Sequence, residues 1–210
     1  MESSEEFAKQ LFAVKCKEYG VAVEESRKRR FVEIMRSRCI PPKMDLSFVG
    51  IGKYCTNLVL EHLSSPTEIE WTSLSMAGND IGDDGASAIA TFLRRGDESK
   101  SLTELDLSGC EIGSRGCSDL FEALKSNTTL TSMSLSAVPG GARNRIGHRA
   151  TVLATSLLRE NHVLTRLCLA DSSPGPEDLP SFLSEIRASH SMSWLDLSMV
   201  GLNDDTLSPF

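Results

Sequence analysis

The stretch LTELDLSGCEIG, Leu102 to Gly113, places apolar residues at its first, fourth, sixth and eleventh positions, a cysteine at its ninth and a glycine at its end. The spacing returns at Trp71, Leu74, Met76, Asn79, Ile81 and Gly82, and again at Leu130, Met133 and Leu135, then Asn144, Ile146 and Gly147 after six extra residues. Leu164, Leu167, Leu169 and Gly175 form a fifth copy, and Met192, Leu195, Leu197 and Leu202 a sixth, with Asn203 in place of the glycine. Upstream, Met44, Leu46, Val49, Ile51 and Gly52 fit a first copy counted from Pro41. A fixed period of this kind marks a chain of stacked supersecondary units, so it decides the architecture before any local assignment.

Each copy contains two periodicities. Leu-x-x-Leu-x-Leu ends with the alternation of a short strand, while the residues that follow repeat every four: Gly85/Ile89/Leu93, Gly116/Leu120/Leu124 and Ala150/Ala154/Leu158. That spacing is one apolar helix face, and its small first residue lets a helix start lie close to its neighbour. A single strand-turn-helix unit cannot bury both its leucines and its helix face, so the units must stack. The expected fold is an α/β right-handed solenoid, with a parallel inner sheet and outer helices. Residues 41–210 make five full copies and a truncated sixth, and residues 1–40 form a helical N-terminal cap.

The units LTELDLSGCEIGSRG and WTSLSMAGNDIGDDGASAIATFL resemble leucine-rich repeats of the ribonuclease-inhibitor class. That resemblance implies that the ninth position, Asn or Cys, bonds along a ladder of turns. Val49, Ser172 and Val200 depart from it, so the ladder is expected to be imperfect there. The leader FAVKCKEYGVAV is similar to those of cytoskeletal and flagellar proteins with this repeat class, which implies a place in such an assembly, and with no apolar h-region after the charged start MESSEEFAKQ the expected location is cytoplasmic.

In the leader, Phe7, Leu11 and Val14 are spaced for one helix face that Gly20 interrupts, and Phe31, Ile34, Met35 and Arg38 for the face of a second helix. Arg27-Lys28-Arg29-Arg30 reads as a solvated helix face compensated by Glu24 and Glu25, rather than as a localisation signal or nucleic-acid patch. The 210 residues carry a net charge of −7. Nine of the 22 basic and seven of the 29 acidic groups lie in the first forty residues, which puts the remainder at −9 and disfavours a globally basic nucleic-acid binder. No run of about 18 apolar residues is present for a membrane span.

Little in the sequence points to chemistry. Gly50-Ile51-Gly52-Lys53 lacks the remaining residues of a phosphate loop, and no nucleophile elbow or HExxH motif occurs. Six cysteines without CxxC spacing read as reduced core thiols, and the four histidines lack a second ligand at metal-site spacing. The expectation is a non-enzymatic module with no cofactor, metal, small-molecule substrate, nucleic acid or membrane partner. The sequon at Asn127 reads as chance.

Binding is the more informative side. Alternate strand positions point to the concave face, which would carry Lys43, Asp45, Phe48, Glu104, Asp106, Arg166, Asp171, Trp194, Asp196 and Met199 among small serines and alanines. Trp194 reads equally as a binding anchor and as a residue packed against a further repeat. Asp45, Asp106 and Asp196 fall in one column, but the form LDLS is common in such repeats, and carboxylates two strands apart stand roughly 10 Å from each other, too far for a catalytic pair. The insertion brings Arg143, Arg145, His148 and Arg149 together in an acidic domain. It reads equally as a contact for an acidic partner and as a tolerated loop. These features lead to a scaffold or adaptor that binds protein partners. The alternative is a small-GTPase regulator resembling the Ran GTPase-activating protein, and the truncated last copy adds self-association through an uncapped end.

Overall fold

The leucines of successive copies lie side by side in the computed structural model, which describes residues 2–65, 69–96, 101–175 and 177–202. Helices α1 (Glu2–Glu18) and α2 (Glu25–Arg38) come first, followed by strands β1 (Cys39–Ile40) and β2 (Lys43–Asp45). Helix α3 (Lys53–Ser64), strand β3 (Ser73–Ser75) and helix α4 (Gly82–Arg94) follow, and the alternation continues through β4 (Glu104–Asp106), α5 (Ser114–Ser126), β5 (Ser132–Ser134) and α6 (Gly147–Glu160). It reaches β6 (Arg166–Cys168), α7 (Leu179–Ala188) and β7 (Trp194–Asp196). The seven strands among the described residues form one sheet in chain order. From β2 to β7 the pairing is parallel, and Met44, Leu74, Leu105, Met133, Leu167 and Leu195 occupy one row of the register. The period found in the sequence is therefore the strand register itself. The helices α3 to α7 pack in sequence on one side, giving an α/β leucine-ladder solenoid.

The core is the space between sheet and helices. Leu107, Ile112, Leu120, Leu124, Leu130 and Leu135 are completely buried in its centre. The small helix-start residues do what their size allows. A Cβ added at Gly116 would lie 2.9 Å from the Ala86 Cβ of α4 and 2.7 Å from Asp83 Oδ1. Instead, the amide of Gly116 donates to that carboxylate oxygen at 3.0 Å, and Gly113 donates to it at 2.8 Å. Asp83 in the first turn of α4 thus satisfies the start of α5. Glu18 serves α3 in the same way, accepting from Gly52, Tyr54 and Cys55. Orphan helix-start amides and a facing carboxylate are mutually stabilising.

Polar ladders tie the turns together. Buried Asn79 donates to the Leu46 and Met76 carbonyls at 2.8 and 2.6 Å, and accepts from the amides of Gly50 and Ile51. Asn144 repeats this, donating to Leu107 and Leu135 and accepting from Cys110 and Ile112. Between them the Cys110 thiol donates to Met76 at 3.2 Å. The Ser172 hydroxyl donates to the Leu169 carbonyl of its own unit, so the side-chain ladder weakens at this position as expected, although the Ser172 carbonyl still accepts from the Ile146 amide of the preceding unit.

Three details depart from the sequence reading. Strand β1 pairs antiparallel with β2, so the helical leader ends at Arg38 and its last two residues join the sheet. In α2 the buried face is Phe31, Val32 and Met35, while Ile34 is exposed, because packing against α1, where Phe12 meets Phe31, and against β1 and β2 selects that face. Cys39 and Cys168 are only partly covered, unlike the four buried thiols. Asn203 and the chain beyond it, on which the truncated sixth copy depends, lie outside the described residues.

Candidate protein-interaction surface

The concave face is built by the strand residues that point away from the leucine row. One register row reads Lys43, Ser73, Glu104, Ser132, Arg166 and Trp194, and the next reads Asp45, Ser75, Asp106, Ser134, Cys168 and Asp196. The second row is internally satisfied. Asp106 Oδ1 accepts from the Ser108 amide and hydroxyl at 2.9 and 2.6 Å, and Ser108 meets Ser134 at 2.7 Å. Asp45 with Ser47 and Asp196 with Ser198 repeat the pattern, and Ser136 and Cys168 continue it between them. Burial raises the pKa of Asp45, but the Ser47 hydroxyl and amide and the Arg38 guanidinium outweigh it and hold the carboxyl below its ordinary value. The Ser198 hydroxyl and amide do the same for Asp196. The motif Asp-x-Ser is thus a self-bonded turn, and these carboxylates are held by their own chain.

The rim of the concave face carries strain. Phe48, Asp171 and Met199 have φ of 56°, 52° and 58°, at the position where the second and third copies place Gly78 and Gly109. Left-handed backbone is unfavourable for a bulky side chain, yet it persists here because the turn ladder dictates it. Phe48 lies across Gly78, where an added Cβ would sit 2.2 Å from the ring, and Val138 covers Gly109 in the same manner. Phe48 nonetheless remains 67% exposed, and Met199 is 79% exposed.

The predicted residues separate into groups. At the C-terminal half of the face the Arg166 guanidinium lies over the Trp194 ring, 5.2 Å from its centre, and Trp194 stays 44% exposed. Arg143 pairs with Asp171 at 3.0 Å, so the insertion is anchored to the rim of the next unit. Asp196 and Met199 belong to the last strand and its turn, beside them. Phe48 sits five strands away, roughly 24 Å along the sheet, and Glu104 stands exposed in the middle. Arg145 lines a polar cleft of about 670 Å³ between neighbouring turns with Asp83 and Glu111, and Arg143 borders both this cleft and the rim. The structure therefore joins Arg143, Arg166, Asp171, Trp194, Asp196 and Met199 in one region and leaves Phe48 and Glu104 apart.

A second ladder escaped the sequence reading. Asn127 is 5% exposed and donates to the Leu93 carbonyl, while its Oδ1 accepts from Thr129 and Leu130. Asn161 repeats this one unit later, donating to the Leu124 and Asn127 carbonyls. The signal was an asparagine three residues before the first leucine in SNTTL and ENHVL. Asn127 is thus a structural residue whose amide nitrogen is already engaged.

These features define a stacked-repeat α/β solenoid with an accessible concave face. Residues 72–90 and 98–121 match the family model described as Leucine Rich repeat. Over 152 residues the chain is 29% identical to the human NACHT, LRR and PYD domains-containing protein 5, a match covering 71% of this chain and 12% of that protein. The chain therefore spans about one eighth of that relative. Among solved structures, Leiomodin-1 Actin-Binding Site 2 superposes with a TM-score of 0.54 at 21% identity, covering 74% of this chain and 87% of that one. In these segments and in its fold the chain is similar to leucine-rich repeat proteins, and repeats of this kind generally mediate protein-protein interaction.

Proposed function

We propose that the protein is a non-enzymatic scaffold or adaptor that holds a protein partner on the C-terminal half of its concave face. The carrying observation is the exposed Arg166–Trp194 stack beside the Arg143–Asp171 pair. Trp and Arg supply large contact area and donors with little reordering, and residues of these types dominate interface energies. The remaining serines are small and the aspartates bond to their own chain, which leaves room for a folded partner or an extended segment. The 28-residue common core of the units supports a ribonuclease-inhibitor-like reading of the repeats.

A cytoskeletal setting takes its direction from the similarity of the leader to cytoskeletal and flagellar repeat proteins and from the name of the leiomodin neighbour. Co-sedimentation with filamentous actin tests it: retention in the pellet that Trp194→Ala abolishes supports an actin contact on this face, and a supernatant fraction unchanged by filaments removes it. Affinity capture from cells tests the broader claim. Partners held by the wild-type chain and lost with Arg166→Glu/Trp194→Ala support it, and an identical partner set for both contradicts it.

A further inference from the structure

The start of α6 and the turn before α7 bring three potential ligand atoms together. His148 Nδ1 lies 2.7 Å from Asp178 Oδ2 and 3.5 Å from Glu177 Oε1, and the three atoms fall within 4.8 Å of one another. Asp178 immediately precedes α7, where an aspartate ordinarily accepts from the helix-start amides. It makes no such bond, and its carboxylate is directed across to His148 of the neighbouring unit. Gly175 makes room for this approach, since a Cβ there would meet Asp178 Oδ2 at 2.5 Å and the His148 Cα at 2.9 Å.

We propose that His148, Glu177 and Asp178 form a binding site for a divalent cation of the zinc type. Ligand arms of about 2.0–2.1 Å in a tetrahedron place neighbouring donor atoms about 3.3 Å apart, between the two separations seen. One imidazole nitrogen with two carboxylate oxygens suits zinc or cobalt, whereas calcium and magnesium require more oxygen ligands. Water completes the fourth position. No short motif announces the site, because Glu177 and Asp178 lie 29 and 30 residues from His148 in the adjacent repeat. The cation would clasp the end of the basic insertion to the following unit, independently of which partner the concave face binds.

Titration of the full chain with Co²⁺, read by visible absorption, tests the site. One equivalent should bind with the intense bands of a tetrahedral ion, Zn²⁺ should displace it, and saturating Zn²⁺ should raise the thermal midpoint by about 2–8 °C. His148→Ala and Glu177→Gln, both at exposed side chains, should fold normally and each weaken binding at least tenfold. Equal Co²⁺ binding by His148→Ala, a thiolate charge-transfer band that places the ion on cysteine, or no binding below millimolar Co²⁺ would overturn the proposal.

Discussion

At the scale of single residues, the ninth position of each unit carries more than its sequence frequency suggests. Asn144 satisfies two buried carbonyls and two buried amides at once, so its removal leaves several polar groups without partners. Asn144→Ala should lower stability by about 2–4 kcal/mol in urea unfolding, which checks the ladder directly. The resemblance to known repeats made Asn79, Cys110 and Asn144 legible in advance. It missed Asn127 and Asn161, because they fall outside the twelve-residue motif and one of them wears the appearance of a sequon. Cys110 shows the chemical consequence of the same environment: burial pushes its thiol up to about 12, which makes it an inert ladder member.

His62 is a second residue with a measurable signature. It stacks on Phe7 at 4.0 Å, joining α1 to α3, and burial lowers its pKa from the ordinary value. A depressed folded-state pKa means that stability is full above the unfolded value near 6.5 and is lost as pH falls toward the folded value. Denaturant midpoints at pH 7 and pH 5 should therefore differ more for the wild type than for His62→Phe. Equal pH dependence in the two proteins would remove this contribution.

At the scale of elements, close helix approach depends on small residues at each helix start. Gly116 has Ala86 and Asp83 within the space a side chain would need, so Gly116→Val should destabilise by about 1–3 kcal/mol through overpacking. Thermal melts of this variant beside Gly96→Val, at an open position, check the effect. The i, i+4 columns made these helices legible, since burial on one side is all the pattern encodes. The same logic failed for α2. There Phe31, Val32 and Met35 face inward and Ile34 does not, and which neighbouring apolar residue turns inward is set by the pose of α1, a tertiary fact. Strand β1 was equally hidden: two residues carry no periodicity, and only the edge of β2 makes them a strand.

At the scale of the whole molecule, register converts a one-dimensional repeat into a surface. Residues 28 to 34 apart become neighbours, so the Asp-x-Ser column knits itself across the sheet while the Arg166 and Trp194 side chains meet on adjacent strands. The sequence supplied the members of the concave face, but not which of them are bonded to their own chain and which remain open. The aspartates belong to the first group; Trp194, Met199 and Glu104 belong to the second. The insertion is likewise clarified, since Arg143 is fastened to Asp171 and the loop forms part of the C-terminal region of the face.

The central claim is that this C-terminal half of the concave face is where a protein partner sits. Hydrogen exchange of the chain, free and in complex with a partner recovered by capture, measures the footprint at peptide resolution. Protection should concentrate in the segments containing residues 166–171 and 194–199, with the outer helices α4 to α6 unchanged. Protection confined to those outer helices, with both segments exchanging as in the free chain, would contradict the account.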